Sequence, residues 1–228
     1  MKIEPLHGWN IGYERARAIQ NDLRARLVLH SKDIPRRIQT IAGADISYSK
    51  GSDTFFAAVV ILDFPTMKII EQASSSGTAD FPYIPGLLTF REGPVLLEAF
   101  RKLRLSPDII IFDGQGIAHP RGIGLASHMG LFLDTPSIGC GKTRLVGSYD
   151  EPGNKPGDYS PLVHNGEIMG AVLRTKRNVK PVFVSQGHKI GLKKAIGITL
   201  SSCRGYRLPE PTRKAHFAAG EIRLRQGQ

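Results

Sequence analysis

The segment Asp108-Ile109-Ile110-Ile111-Phe112 is a continuous apolar run that closes abruptly on Asp113-Gly114. A strand that is apolar at every position is buried on both faces, as in the middle of a parallel sheet covered by helices on each side. The run therefore points to an α/β architecture. What precedes it narrows the choice. Ile41–Tyr48, Phe55–Leu62 and Met67–Ala73 read as strands joined by the short loops Ser49–Asp53 and Asp63–Thr66, which predicts an antiparallel meander. A helix from Glu92 to about Arg104 follows, with Val95, Leu96, Ala99, Phe100 and Leu103 on its apolar face and Pro94 in its first turn.

Three meandering strands, a helix, then a buried strand parallel to the first is the opening of a ribonuclease H-like α/β fold, a mixed central β-sheet flanked by helices. Around this centre, residues 10–30 read as an amphipathic helix (Ala16, Ile19, Leu23, Leu27) with Asn10 as N-cap, followed by the basic connector Lys32–Arg37. Ser74–Gly86 reads as a loop, Leu125–Leu133 as a short helix and Pro136–Gly139 as a short strand. Glu167–Thr175 and Lys180–Ser185 read as a hairpin pair, and Gly191–Ser201 and Pro211–Arg223 as closing helices. Residues 147–161 look like an exposed insertion. Neither a repeat nor a linker breaks the apolar rhythm, so residues 1–228 are expected to form one domain.

The composition bears on partners. Lys and Arg number 31 against 20 Asp and Glu, a net charge of +11, while 41% hydrophobic and 22% charged residues are those of a globular chain. The excess suits a polyanion or mere basic solubility. Cys140 and Cys203 are too few for a disulfide framework or a four-ligand zinc site. No apolar run approaches the roughly 18–20 residues of a membrane helix, and the first residues lack a signal core, so the expected location is cytoplasmic.

Within this basic chain, three carboxylates stand out. Asp45 interrupts an apolar strand, where an unpaired charge costs several kcal/mol, and by alternation it shares a face with Ile41 and Gly43. Asp113 ends the central strand, and Glu92 stands at the expected helix start. If the strands are neighbours and the helix packs over their end, the three converge. Hard oxygen ligands without a Cys or His cluster suit Mg²⁺ or Mn²⁺, and such a site activates water in phosphodiester hydrolysis. Singly, Glu92 can be only a helix-start charge and Asp113 only a turn former; a mid-strand Asp is hardest to dismiss.

The glycine-rich segments exclude two nucleotide-binding motifs. Gly141-Lys142-Thr143 would need glycine at position 136 for a Walker A loop, and Pro136 stands there. Gly114-Gln115-Gly116 continues to His119 where a dinucleotide fingerprint needs glycine. Lys142 is then either a phosphate-facing ammonium or an ordinary surface lysine. Gly114, Gly116, Gly122 and Gly124 allow close backbone approach to a ligand, and His119, Arg121 and His128 suit phosphate. Zinc on His119 and His128 is the weaker idea, and His164 and His188 read as capping or packing residues. Pro82-Tyr83-Ile84-Pro85-Gly86 holds an aromatic on a rigid turn, either a wedge between bases or a packed loop.

Taken together, Ile41–Tyr48, Pro82–Pro94, Asp113–Gly130, Ser137–Leu145, Val184–Ile190 and Arg207–His216 resemble, in order, the blocks of the endonuclease V family, which cleaves nucleic acid near deaminated adenine. The resemblance implies a ribonuclease H-like fold with Asp45, Glu92 and Asp113 as Mg²⁺ ligands, Mn²⁺ being a substitute. It implies Tyr83 as the wedge, Lys142 at the scissile phosphate, His216 as a further polar residue beside the metal, and His119 near the damaged nucleotide. It also implies hydrolysis of the second phosphodiester bond 3′ to deoxyinosine in DNA, leaving 3′-hydroxyl and 5′-phosphate ends and initiating repair. Backbone near Tyr83–Leu88 and Gly116–Gly124, with Pro82, Ile84, Gly86, Leu88 and Gly124, is expected to form the base pocket. Two alternatives stay open: an endoribonuclease for inosine in RNA, and a non-catalytic nucleic-acid-binding module. The expected assembly is a monomer with no membrane partner.

Overall fold

The computed structural model describes residues 1–32, 34–49 and 51–226. Asp33 of the basic connector and Lys50 of the first hairpin loop lie outside the described residues. The elements run α1 (Tyr13–Arg24), β1 (Thr40–Tyr48), β2 (Thr54–Asp63), β3 (Ile69–Thr78), α2 (Leu88–Arg101), β4 (Ile109–Phe112), α3 (Leu125–Leu133), β5 (Ser137–Gly141), β6 (Tyr159–His164), β7 (Glu167–Leu173), β8 (Val182–His188), α4 (Leu192–Ser201) and α5 (Glu210–Arg225).

Among the described residues the strands form one mixed sheet in the order β3-β2-β1-β4-β5-β8-β7-β6. The meander is as read from the sequence, with β1 antiparallel to β2 and β2 to β3. β4 lies parallel to β1, pairing Ile41 with Ile109 and Ala44 with Phe112. All four residues of β4 are buried, because helices cover both faces. One face packs α4 and α5 through Ala195, Ile198, Ala215 and Ala219 against Ile41, Val60 and Ile111. The other packs α2 and α3 through Val95, Phe100, Met129 and Phe132 against Ala42, Ala44, Ile110 and Phe112. Alternate residues of one strand thus serve opposite cores.

Several expectations are corrected. α1 begins at Tyr13 behind Gly12, so Asn10 is not its cap, and it ends at Arg24. β3 starts at Ile69 and continues through Thr78: Ser74–Thr78 pair with Thr54–Ala58, a polar strand that a loop-like composition concealed. α2 begins four residues before Glu92, which makes Glu92 an interior helix residue and places Pro94 inside the helix, not in its first turn. The early start buries Thr89 and Phe90. The 147–161 segment is not simply an insertion. It leads into β6, and Arg174 secures it by donating to Gly153 O at 3.1 Å and to Glu151 at 2.6 Å. Among the described residues no helix is long and apolar enough to cross a membrane.

Candidate active site

The site lies where β1 and β4 end, the position at which an open α/β sheet leaves a crevice. Gly43 and Asp45 point to the α5 face. A side chain at Gly43 would place its Cβ 2.0 Å from Pro211 O, so glycine lets the first turn of α5 rest directly on β1. Two residues along the strand, Asp45 Oδ2 accepts a hydrogen bond from His216 Nδ1 at 2.7 Å. Asp113 stands one residue past β4, and Lys142, one residue past β5, forms an ion pair with it. Glu92 reaches the same crevice from α2 on the opposite face.

Electrostatics show how closely these groups sit. Burial first, and then the charges of Asp45 and Asp113, push the Glu92 carboxyl up to about 8. Asp45 is raised by burial and by Asp113, an effect that His216 opposes. A cleft in which Glu92 and Asp45 are both raised by neighbouring carboxylates is short of positive charge. Lys142 supplies part of it through Asp113, and His216 donates its hydrogen bond to Asp45. Among the described residues no three His, Cys, Asp or Glu groups close around one ion-sized point, since Asp113 turns to Lys142 and Asp45 to His216. The donor chemistry, three hard oxygens and no thiolate, nevertheless fits a divalent cation.

Beside Asp113 opens a cavity of about 330 Å³ lined by Tyr83, Ile84, Gly86, Leu88, His119 and Gly124, with Gln115 and the 141–145 turn completing the wall. These are the residues expected there, except that Pro82 does not line it. Gly116 and Gly122 are not part of the wall either. A Cβ on Gly116 would meet Gln186 O at 2.0 Å inside the fold, and Gly122 faces Arg24. Tyr83 is 70% exposed at the rim, so the packed-loop alternative is set aside.

The turn that carries Tyr83 is braced at one atom. Gly86, at φ +80°, presents its carbonyl oxygen to Gln20 Nε2 at 3.0 Å, His119 Nε2 at 2.9 Å and Arg121 Nη2 at 2.6 Å. Arg121 also donates to Gln20 Oε1 at 2.5 Å. Burial, then the charge of Arg121, pulls His119 down to about 4, so it is a neutral Nε2–H donor. Arg121 therefore braces the turn. His128 is a second correction: it is fully buried, hydrogen-bonded to His7 through the Nε2 atoms at 2.8 Å and stacked on Phe132, so it serves the core and has no surface to offer a phosphate.

Sequence reasoning missed Gln20, Gln115 and the Thr143–Leu145 rim. Gln20 had a signal, an amide on the apolar stripe of α1. Gln115 had none; its Nε2 donates to Thr143 O at 2.9 Å and joins the cavity floor to its rim.

The geometry can be set beside known proteins. The Endonuclease V family profile matches residues 21–217. A curated Endonuclease V of Dehalococcoides mccartyi is 48% identical over 222 residues, covering 97% of this chain and 99% of that protein. The crystal structure of Endonuclease V from Streptomyces avermitilis superposes with a TM-score of 0.92 at 39% identity, over 100% and 99% of the two chains. Ciona intestinalis Endonuclease V, solved with a 24mer DNA containing an inosine followed by a ribo-adenosine, superposes with a TM-score of 0.84 at 26% identity, over 94% and 98%.

Proposed function

Since this chain belongs to the endonuclease V family, we propose that it is a metal-dependent endonuclease that recognises deoxyinosine in DNA and cuts the second phosphodiester bond on its 3′ side. The observation that carries the reading is the adjacency of a small, mostly apolar cavity to three mutually repelling carboxylates, with an exposed aromatic on a braced turn at the rim. Tyr83 enters the stack as the base leaves it, and the cavity receives the base. Deamination replaces an amino donor by a carbonyl acceptor, which backbone N–H groups of the turn around Gly86 can read, the Gly124 N–H being already donated to Gly116 O at 2.8 Å.

Asp45, Glu92 and Asp113 would hold Mg²⁺, or Mn²⁺ in its place. When bound, the ion supplies an activated water and stabilises the leaving oxygen. Lys142, beside Asp113, balances charge at the scissile phosphate. His216 holds the Asp45 carboxylate in one orientation. A pure binding module has no use for acidic groups where phosphate must approach. On this reading the enzyme acts as a cytoplasmic monomer and begins a repair sequence.

RNA is the second reading, favoured by the ribo-adenosine after inosine in the Ciona complex. Matched DNA and RNA oligonucleotides with one inosine, incubated with Mg²⁺ or with EDTA, decide both points. Nicking of DNA that requires metal and inosine is expected. Nicking in EDTA overturns the metal assignment, and cutting of RNA alone selects the second reading.

A further inference from the structure

The lesion cavity and α5 lie on opposite faces of the sheet, with the carboxylates between them at the strand ends. A strand running from the cavity across Asp113 and Asp45 therefore passes His216 and arrives on the outer surface of α5. What it meets there is Phe217, 55% exposed, and Tyr206, 52% exposed, with the Arg213 guanidinium 5.4 Å and 4.0 Å from their ring centroids. Arg213 does not roam. The buried Glu210 takes two hydrogen bonds from it, at 2.9 and 3.0 Å. Phe217 also packs its ring 6.2 Å from that of His216, whose Nδ1 is on Asp45. Rings so exposed gain little from burial, whereas a guanidinium fixed between them is an arranged stacking surface. The surroundings favour a polyanion: positions 204–214 hold Arg204, Arg207, Arg213 and Lys214 against the single acid Glu210.

We propose that Tyr206, Arg213 and Phe217 form a stacking platform for one unpaired base of the substrate strand, beyond the scissile phosphate on the side away from the lesion. The inference rests on the nuclease reading above and adds to it a second grip on the strand. Stacking is tolerant of base identity, so the platform holds the 3′ side without reading sequence. It positions the strand and takes no part in the chemistry.

The test measures binding of fluorescein-labelled single strands by anisotropy in EDTA, where no cutting occurs. Each strand carries one inosine, and an abasic nucleotide replaces in turn each of the first few positions on its 3′ side. The Tyr206→Ala/Phe217→Ala double variant should bind the intact strand roughly five- to a hundredfold more weakly than wild type. One abasic position should weaken wild type by a similar factor and leave the double variant unchanged, while Phe217→Trp binds at least as tightly as wild type. Wild-type affinity in the double variant, or a loss that is the same for every abasic position, overturns the platform. If the double variant melts early, single Phe217→Ala and Phe217→Trp proteins carry the same comparison. Wild-type preference for inosine over adenine, scored separately, reports on the nuclease reading itself.

Discussion

His216 and Asp45 are separated by 171 residues of sequence and meet at 2.7 Å through Nδ1 and Oδ2. The meeting follows from matched lengths. Gly43 to Asp45 is two strand residues, about 6.6 Å, and Thr212 to His216 is four helix residues, about 6 Å. With α5 seated on Gly43, the histidine falls beside the aspartate. Asp45→Ala should abolish nicking, and His216→Ala should slow it by about ten- to a hundredfold. The double variant should be no worse than Asp45→Ala, since the two groups act as a unit; single-turnover rates at saturating Mg²⁺ check this.

Gly43→Ala places a methyl 2.0 Å from Pro211 O, which only movement of α5 can relieve. A loss of about 1–3 kcal/mol is expected, a fall in Tm of several degrees. Nicking should fall by more than the folded fraction, because His216 moves with the helix. A variant with wild-type melting and wild-type rate would show that the contact does not position the site.

Glu92 is held protonated by burial and by its acidic neighbours up to about 8, against an ordinary 4.5. The folded state keeps a proton that the unfolded chain has released, so this group lowers stability progressively as pH rises from 4.5 to about 8. Glu92→Gln should therefore melt higher than wild type in EDTA at pH 8, by less at pH 5, and should not nick. Mg²⁺ should raise the Tm of wild type but not of the variant.

His119 works in the opposite sense. It stays neutral in the fold down to about 4, whereas the unfolded chain is protonated below 6.5. Stability from this group is complete above 6.5 and is lost as pH falls towards 4, on the order of 2 kcal/mol by pH 5. His119→Gln retains an amide donor for Gly86 O and does not titrate. Urea midpoints at pH 7 and pH 5 should thus fall further for wild type than for the variant.

The net charge of +11 predicts binding of inosine-containing DNA that weakens linearly in logarithmic plots of affinity against salt. Arg213 is held by Glu210 and Lys142 by Asp113, so they are not equivalent to solvent-facing lysines. Lys214→Ala should reduce the salt slope by about one, with little change in the nicking rate at saturating enzyme. An unchanged slope would remove α5 from the phosphate path.

The antiparallel β1–β2–β3 meander and the buried β4, parallel to β1, were legible because periodicity and short loops are local properties of the chain. Asp45 was legible for the same reason: a charge in an apolar strand demands a partner wherever it lies. Residue type and spacing do not say who that partner is. His216 beside Asp45, Lys142 on Asp113, and Gln20, His119 and Arg121 converging on Gly86 O are tertiary facts, set by how α5 rests on Gly43 and how α1 crosses the Tyr83 turn. The polar end of β3 was illegible because its strand character comes from pairing with β2 and not from its own side chains. The sequence by itself determined which residues had to be buried and which charges had to be answered. The tertiary structure decided which groups answer them, because contacts between residues far apart in the chain depend on the packing of whole elements.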